Sequence, residues 1–330
     1  MTLAIMQPYF TASLVRLLGL LGLLDAYAPY RCHGADGHVV TPAKSRPEAH
    51  GGTVGSAADQ PRPKVKAVRD LPYVEGGHER NRLDLFLPGQ AEGRLPVVVW
   101  IHSGAWNSGS KDACIFEAVW LAQKGYAVVG INYRLSQHAP FPAQIEDCKA
   151  AIRWLRAHAA EYGLDPDRIG VWGISAGGHL AALLGVTGGV PGLEGQGGNL
   201  DQSSRVQCVV DGYGRTDMTL ASSQNDADVT AAVSQLLGGP VDENREQAIR
   251  ASPLHYVSGN AAPFLILHGD QDPRVPLKQS ELLADALKQA GVEVTLHVVR
   301  GAGHGGEAFK NPESWGRVEH FLAKHLKPLR

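Results

Sequence analysis

The chain has 330 residues, 44% of them hydrophobic and 19% charged, and carries a formal net charge of −2 at neutral pH. That length and apolar content allow one substantial core, so a single large α/β domain is expected. With no basic excess and no Lys or Arg cluster interleaved with aromatics, a nucleic-acid partner has no support, and action on a small molecule fits better.

Residues 1–28 read as a signal-peptide candidate. Leu17 to Leu24 is a short apolar run preceded by Arg16 and followed by Ala26-Tyr27-Ala28, the A-x-A form of a signal-peptidase site, although Asp25 interrupts the apolar boundary. A cleaved leader implies a secreted or periplasmic protein, an uncleaved one a cytoplasmic protein. The run is too short to span a bilayer, and no stable membrane association is expected. From Pro29 to Lys64 the chain is rich in Gly, Pro, Ala and charged residues without a hydrophobic period, so 29–64 reads as a disordered leader or linker. The folded domain is expected over 65–330.

Val65 to Tyr73 and Leu83 to Leu87 then read as strands forming a first hairpin, the second alternating apolar and polar residues. Six continuous apolar runs follow: Val97 to Ile101, Ala127 to Asn132, Ile169 to Trp172, Val206 to Val210, Phe264 to Leu267 and Val292 to Val299. Runs without alternation predict strands buried on both faces. Ile145 to Ala159, His179 to Leu184 and Ser280 to Ala290 have helical character, so the order is β then α, as in a mostly parallel sheet flanked by helices. Catalytic loops then belong at the C-terminal ends of the strands. Tyr213 to Asn260 is longer than one crossover helix needs and reads as a small lid or substrate wall, or as a surface excursion with one or two helices.

The residues with chemical promise lie at those strand ends. Ser175 is the centre of Gly173-Ile174-Ser175-Ala176-Gly177, between an apolar strand and a helical run, where small neighbours permit a strained turn that exposes the hydroxyl. A serine hydroxyl is a weak nucleophile at neutral pH and needs a base, itself oriented by a carboxylate. His304 stands in the glycine-rich loop after Val292 to Val299, and Asp270 and Asp272 stand in the loop after Phe264 to Leu267. The order serine, acid, histidine is that of an α/β-hydrolase. Backbone N–H groups of Gly104, Ala105 and Ala176 are candidate donors to an oxyanion, because His102-Ser103-Gly104-Ala105-Trp106 follows a buried strand and its small residues allow close approach. Trp106 reads equally as cleft wall or loop packing. His102 is assigned to bracing its own loop, His268 to a strand end and His297 to a strand interior.

Four cysteines, Cys32, Cys114, Cys148 and Cys208, permit three full pairings in an oxidising compartment. Cys148 and Cys208 read as small core hydrophobes. No Cys/His spacing suggests zinc.

Several longer segments carry a resemblance: H-S-G-A-W at 102–106, I-N-Y-R-L-S at 131–136, F-P-A-Q-I-E-D-C-K-A-A-I-R-W-L-R at 141–156, D-P-D-R-I-G-V-W-G-I-S-A-G-G-H at 165–179 and H-G-D-Q-D-P-R-V-P at 268–276. Together they resemble α/β-hydrolase esterases near the hormone-sensitive-lipase-like group, especially its bacterial feruloyl and acetylxylan esterase branch. The resemblance spans Val65 to Arg330. It implies a Ser175, Asp272, His304 triad, with Asp272 four residues after the histidine of H-G-x-x-D, and leaves Asp270 to brace the loop. No metal and no organic cofactor are implied. The expected activity is serine carboxylic ester hydrolysis of short-chain or aromatic esters, acetyl or feruloyl, including acylated saccharides of plant polysaccharide. Ser103 departs from the glycine usual there, and Arg134 with Asp147 reads as a structural charge pair. Arylformamidases share H-G-G-x-W and relatives of prolyl oligopeptidases share H-G-x-x-D, while a non-catalytic binding protein on the same scaffold is the rival from another class.

Overall fold

The two strand-like pieces at the start of the domain pair as a hairpin, β1 (Val65–Pro72) running antiparallel to β2 (Arg82–Pro88). In the computed structural model, residues 65–223 and 227–327 are described. Every described residue belongs to one compact unit, which lies within Gln60–Arg330. The signal-peptide and linker readings and Cys32 lie outside the described residues.

From β2 onward the sheet follows the apolar runs. β3 (Leu95–Ile101), β4 (Ala127–Ile131), β5 (Leu164–Ile174), β6 (Cys208–Gly212), β7 (Phe264–Gly269) and β8 (Val294–Val299) are parallel, and β2 joins antiparallel to β4. Among the described residues the order is β1-β2-β4-β3-β5-β6-β7-β8. The winding turns left from β3 to β4 and right from β5 to β6, so the loops after β3 and β5 leave from a topological switch point. Register puts Ile101 beside Gly173 and Ile174 beside Gly212, which lines up the strand ends that carry the candidate residues.

Helices cover both faces, as a parallel sheet requires. On one side α1 (Ile115–Gln123) and α8 (Pro312–Leu326) pack with Trp100, Trp172 and Leu267. On the other, α2 (Ala143–Ala157), the short α3 (Ala159–Tyr162), α4 (Ala176–Val186) and α7 (Lys278–Gln289) pack with Val99, Ile101 and Val171. All eleven residues of α4 are buried, in keeping with its nearly continuous apolar sequence. The 213–260 stretch forms α5 (Ala227–Leu237) and α6 (Arg245–Arg250) with short 3₁₀ turns. The expected strand at Val292 begins two residues later at Val294, and the one at Val206 begins at Cys208.

Two helices had no clear sequence signal. Ile115, Phe116 and Val119 stay exposed on α1, so its apolar residues do not mark a single stripe. In α8, Gly316 and charged neighbours interrupt the pattern formed by Val318, Phe321, Leu322 and Leu326, although Asn311 caps the helix by accepting from Ser314 N–H at 2.9 Å. Cys114, Cys148 and Cys208 are free and buried, and burial pushes the Cys114 thiol up to about 12. Arg134 and Asp147 do pair, more deeply than a surface bridge: the guanidinium meets both carboxylate oxygens, and Asp147 also accepts from the Arg134 backbone N–H at 2.8 Å. Among the described residues no helix is long and apolar enough to cross a membrane.

Candidate active site

Ser175 sits between the end of β5 and the first residue of α4 with φ 54° and ψ −118°, a conformation that costs a non-glycine residue about 1–3 kcal/mol. The neighbouring glycines make that turn sterically feasible. A Cβ on Gly173 would lie 2.1 Å from the Gly177 carbonyl oxygen, and one on Gly177 would lie 2.1 Å from the Ile101 carbonyl oxygen. The turn is further held where Ser175 N–H donates to Gly212 O at 2.7 Å and His179 N–H donates to Ser175 O at 3.0 Å.

The loop after β8 brings His304 Nε2 to 2.8 Å from Ser175 Oγ, and its Nδ1 lies 2.7 Å from Asp272 Oδ2. An ionised carboxylate only accepts, so Nδ1 carries the hydrogen and Nε2 is left to accept from the serine hydroxyl. The Asp272 side chain is fully buried, which pushes its carboxyl up. Hydrogen bonds from His268, His304 and the Val275 N–H outweigh that effect and hold it well below the usual carboxylate range. Its other oxygen accepts from the backbone N–H of Arg274 and Val275, at 2.8 and 2.9 Å. Asp270 points elsewhere: it accepts from Gly301 N–H at 2.6 Å and ties its loop to the one carrying His304.

The loop after β3 faces Ser175 across a cavity of about 340 Å³ that Gly104, Ala105 and Ala176 also line. Gly104, Ala105 and Trp106 all have positive φ, at 117°, 49° and 59°. The Gly104 carbonyl is turned toward the chain ahead, accepting from Asn107 N–H, Ser108 N–H and the Ser108 hydroxyl, each at 3.0 Å. In a planar trans peptide the Ala105 N–H must then point the opposite way. Ala176 opens α4, where an N–H has no carbonyl one turn behind it and the helix dipole favours negative charge. The three donors proposed from sequence thus border the space beside Ser175 Oγ. Ser103, the departure from family pattern, accepts from His102 Nδ1–H through its carbonyl at 2.7 Å.

His102 braces this loop as expected, with help that the sequence did not reveal. Its ring stacks on Tyr133 with centroids 4.3 Å apart, and burial pushes its pKa down to about 4. The neutral ring donates through Nδ1 and accepts at Nε2 from Arg80 Nη2 at 3.2 Å. Arg80 also donates to Tyr133 O and Gly109 O, so a residue in the β1–β2 connection clamps the loop after β3. Trp106 serves in both of its anticipated ways, lining the cavity and packing the loop. Its Nε1–H donates to His179 Nδ1 at 3.0 Å, and His179 Nε2–H donates to Ala251 O at 2.7 Å. Tyr213, with φ 44°, sets its ring edge-on to His304 at 4.9 Å. Asp211 is fully buried beside the elbow, accepts from Gly214 N–H at 2.9 Å, and is pushed up to about 6 by burial. Nothing in the spacing of Arg80, His179, Asp211 or Tyr213 announces these contacts. Asp228, Val229 and Ala232 of α5 line the cavity, so the long connection is a wall of the site. Among the described residues no His, Cys, Asp and Glu cluster is arranged to hold a metal ion.

A sheet whose antiparallel hairpin edges a doubly wound parallel core, with a serine on the strained turn after β5, defines an α/β-hydrolase fold. The chain belongs to the BD-FAE family, whose profile matches residues 83–287. It is 37% identical over 225 residues to the esterase LipQ of Mycobacterium tuberculosis, covering 67% of this chain and 53% of that protein. It thus spans about half the length of the curated relatives it matches. Among solved structures, a truncated carbohydrate esterase from gut microbiota superposes with a TM-score of 0.72 at 32% identity, over 81% of this chain and 98% of that one. An acetyl ester-xyloside bifunctional hydrolase from Caldicellulosiruptor lactoaceticus superposes with a TM-score of 0.63 at 28% identity, over 74% and 87% of the two chains.

Proposed function

We propose that this protein is a serine carboxylic ester hydrolase in which Ser175 is the nucleophile, His304 the general base and acid, and Asp272 the carboxylate that orients the imidazole. The observation that carries the reading is the 2.8 Å contact between Ser175 Oγ and His304 Nε2, made by a serine on a strained turn whose histidine is itself held by a buried carboxylate. His304 takes the hydroxyl proton as Oγ attacks the ester carbonyl, and the N–H groups of Gly104, Ala105 and Ala176 hold the charge that develops on the carbonyl oxygen. His304 then protonates the leaving alcohol, an acyl-enzyme remains, and the same imidazole activates water to release the acid.

The substrate class we infer is a short acyl or aromatic ester of a saccharide. A cavity of about 340 Å³ is at the small end for ligand sites, which supports acetyl over long fatty acyl groups. The carbohydrate and acetyl-ester activities in the names of the structural neighbours support the saccharide. Ser175→Ala should abolish nearly all hydrolysis of p-nitrophenyl acetate and labelling by a fluorophosphonate while the protein still melts cooperatively. Retention of most activity refutes the mechanism, and an unlabelled Ser175 in the wild type favours a binding protein. A panel of acetylated xylooligosaccharide, feruloyl, butyryl and octanoyl esters, with N-formylkynurenine and a prolyl anilide as amide controls, tests the substrate class. Preference for either amide overturns it.

A further inference from the structure

On the α1 and α8 side of the sheet lies a second cavity, of about 260 Å³, that shares no lining residue with the one at Ser175. Five aromatic rings wall it: Trp100 and Trp172 from β3 and β5, Tyr213 after β6, Phe309, and Trp315 on α8. The rings brace one another edge-on or tilted, with centroids 5.0 Å apart for Trp100 and Trp172, 5.6 Å for Trp172 and Trp315, and 4.9 Å for Tyr213 and Phe309.

Set among these rings is one carboxyl group, Glu117 of α1, whose Oε2 is buried without a hydrogen-bond partner. Burial pushes that carboxyl up, more than its own backbone N–H and the Lys310 cation lower it. Lys310 also borders the cavity, but its ammonium bonds Glu307 at 2.8 Å and lies over the Phe116 ring. The indole Nε1 of Trp100, a residue only 3% exposed, is a second buried polar atom with no partner.

We propose that this cavity is a binding site for a small hydroxylated organic cation, a quaternary or tertiary alkylammonium. Ring faces attract such a cation through their quadrupoles, and more strongly when water is excluded. An alkylammonium is weakly hydrated and brings a cation against the unbonded Glu117 oxygen, adding to the more distant attraction of Lys310, while a hydroxyl oxygen gives Trp100 Nε1–H an acceptor. A neutral aromatic ligand would fill the same rings and leave the Glu117 oxygen unpaired, at the cost attached to any buried orphan acceptor.

The test titrates the full-length protein with choline, following tryptophan fluorescence and binding heat, and repeats it with 3,3-dimethylbutan-1-ol, which has the same shape without the charge. Choline should bind at least about tenfold more tightly than the neutral alcohol, the factor expected from desolvated cation–π contacts with a counter-charge. Glu117→Gln should weaken choline binding by about tenfold or more, whereas Asp228→Asn, which removes the acid lining the Ser175 cavity, should leave it within about twofold. Thermal melts show whether each variant folds, and the comparison of the two ligands on the wild type stands without them. Equal affinity for the two ligands, no saturable choline binding at tens of millimolar, or a loss that follows Asp228→Asn in place of Glu117→Gln overturns the proposal.

Discussion

Replacing Gly177 by Ala adds one methyl group at the tightest point of the elbow. Its Cβ would lie 2.1 Å from the Ile101 carbonyl oxygen and 2.8 Å from that of His102, where about 3.0 Å is the least that real Cβ atoms accept. The colliding atoms are backbone at the end of β3, so no rotamer change relieves the contact. The first turn of α4 must move by about 0.9 Å relative to β3. That movement opens the gap between Ala176 and Gly104, the proposed oxyanion donors. A misplacement of about 1 Å in a reacting constellation typically costs about a hundredfold in rate, and overpacking of this kind costs up to about 3 kcal/mol of stability. Gly177→Ala should therefore lower kcat for p-nitrophenyl acetate about a hundredfold and Tm by up to roughly 6–12 °C. Gly316→Ala is the matched control, because a Cβ at that position in α8 meets nothing within 4 Å. There the same methyl group should raise stability by about 0.5–1 kcal/mol through helix propensity and leave kcat unchanged. If Gly177→Ala keeps kcat within threefold and Tm within a degree, the steric account of the elbow is wrong.

Two carboxyl groups should give pH responses of opposite sign. Asp211, raised to about 6 by burial, binds its proton more tightly folded than unfolded, so it contributes nothing to instability below about pH 4 and destabilises increasingly as pH rises through 6. Asp211→Asn should then raise Tm at pH 8, by the equivalent of roughly 3 kcal/mol at most, with the gain vanishing at pH 4; a constant difference across pH would refute the assignment. Asp272, held low by its bonds, contributes stability above about pH 4 that is lost as pH falls further. Asp272→Asn should cut kcat at pH 7 about 10³–10⁴-fold by disfavouring the tautomer of His304 that accepts from serine, and a loss under tenfold would remove Asp272 from the mechanism.

The parts of this protein that local sequence determines are those in which the signal and the structure have the same range. Phe264 to Leu267 reads as a buried strand because every side chain in it is apolar, and Gly173 and Gly177 flank Ser175 because neighbouring backbone leaves no space for a Cβ. The order of Ser175, Asp272 and His304 was legible for the same reason, each residue following its own apolar strand. Family resemblance, and not spacing, separated Asp272 from Asp270; the structure adds the physical difference, since one carboxylate turns to His304 and the other to Gly301 N–H. Only the tertiary structure decided the rest. Arg80 reaches His102 from 22 positions away, His179 joins Trp106 to Ala251 across more than 70, and the tryptophans of β3, β5 and α8 meet around Glu117. Contacts of that separation come from strand register and helix packing, which place residues by accumulated geometry over the whole sheet and leave no periodic trace in the chain.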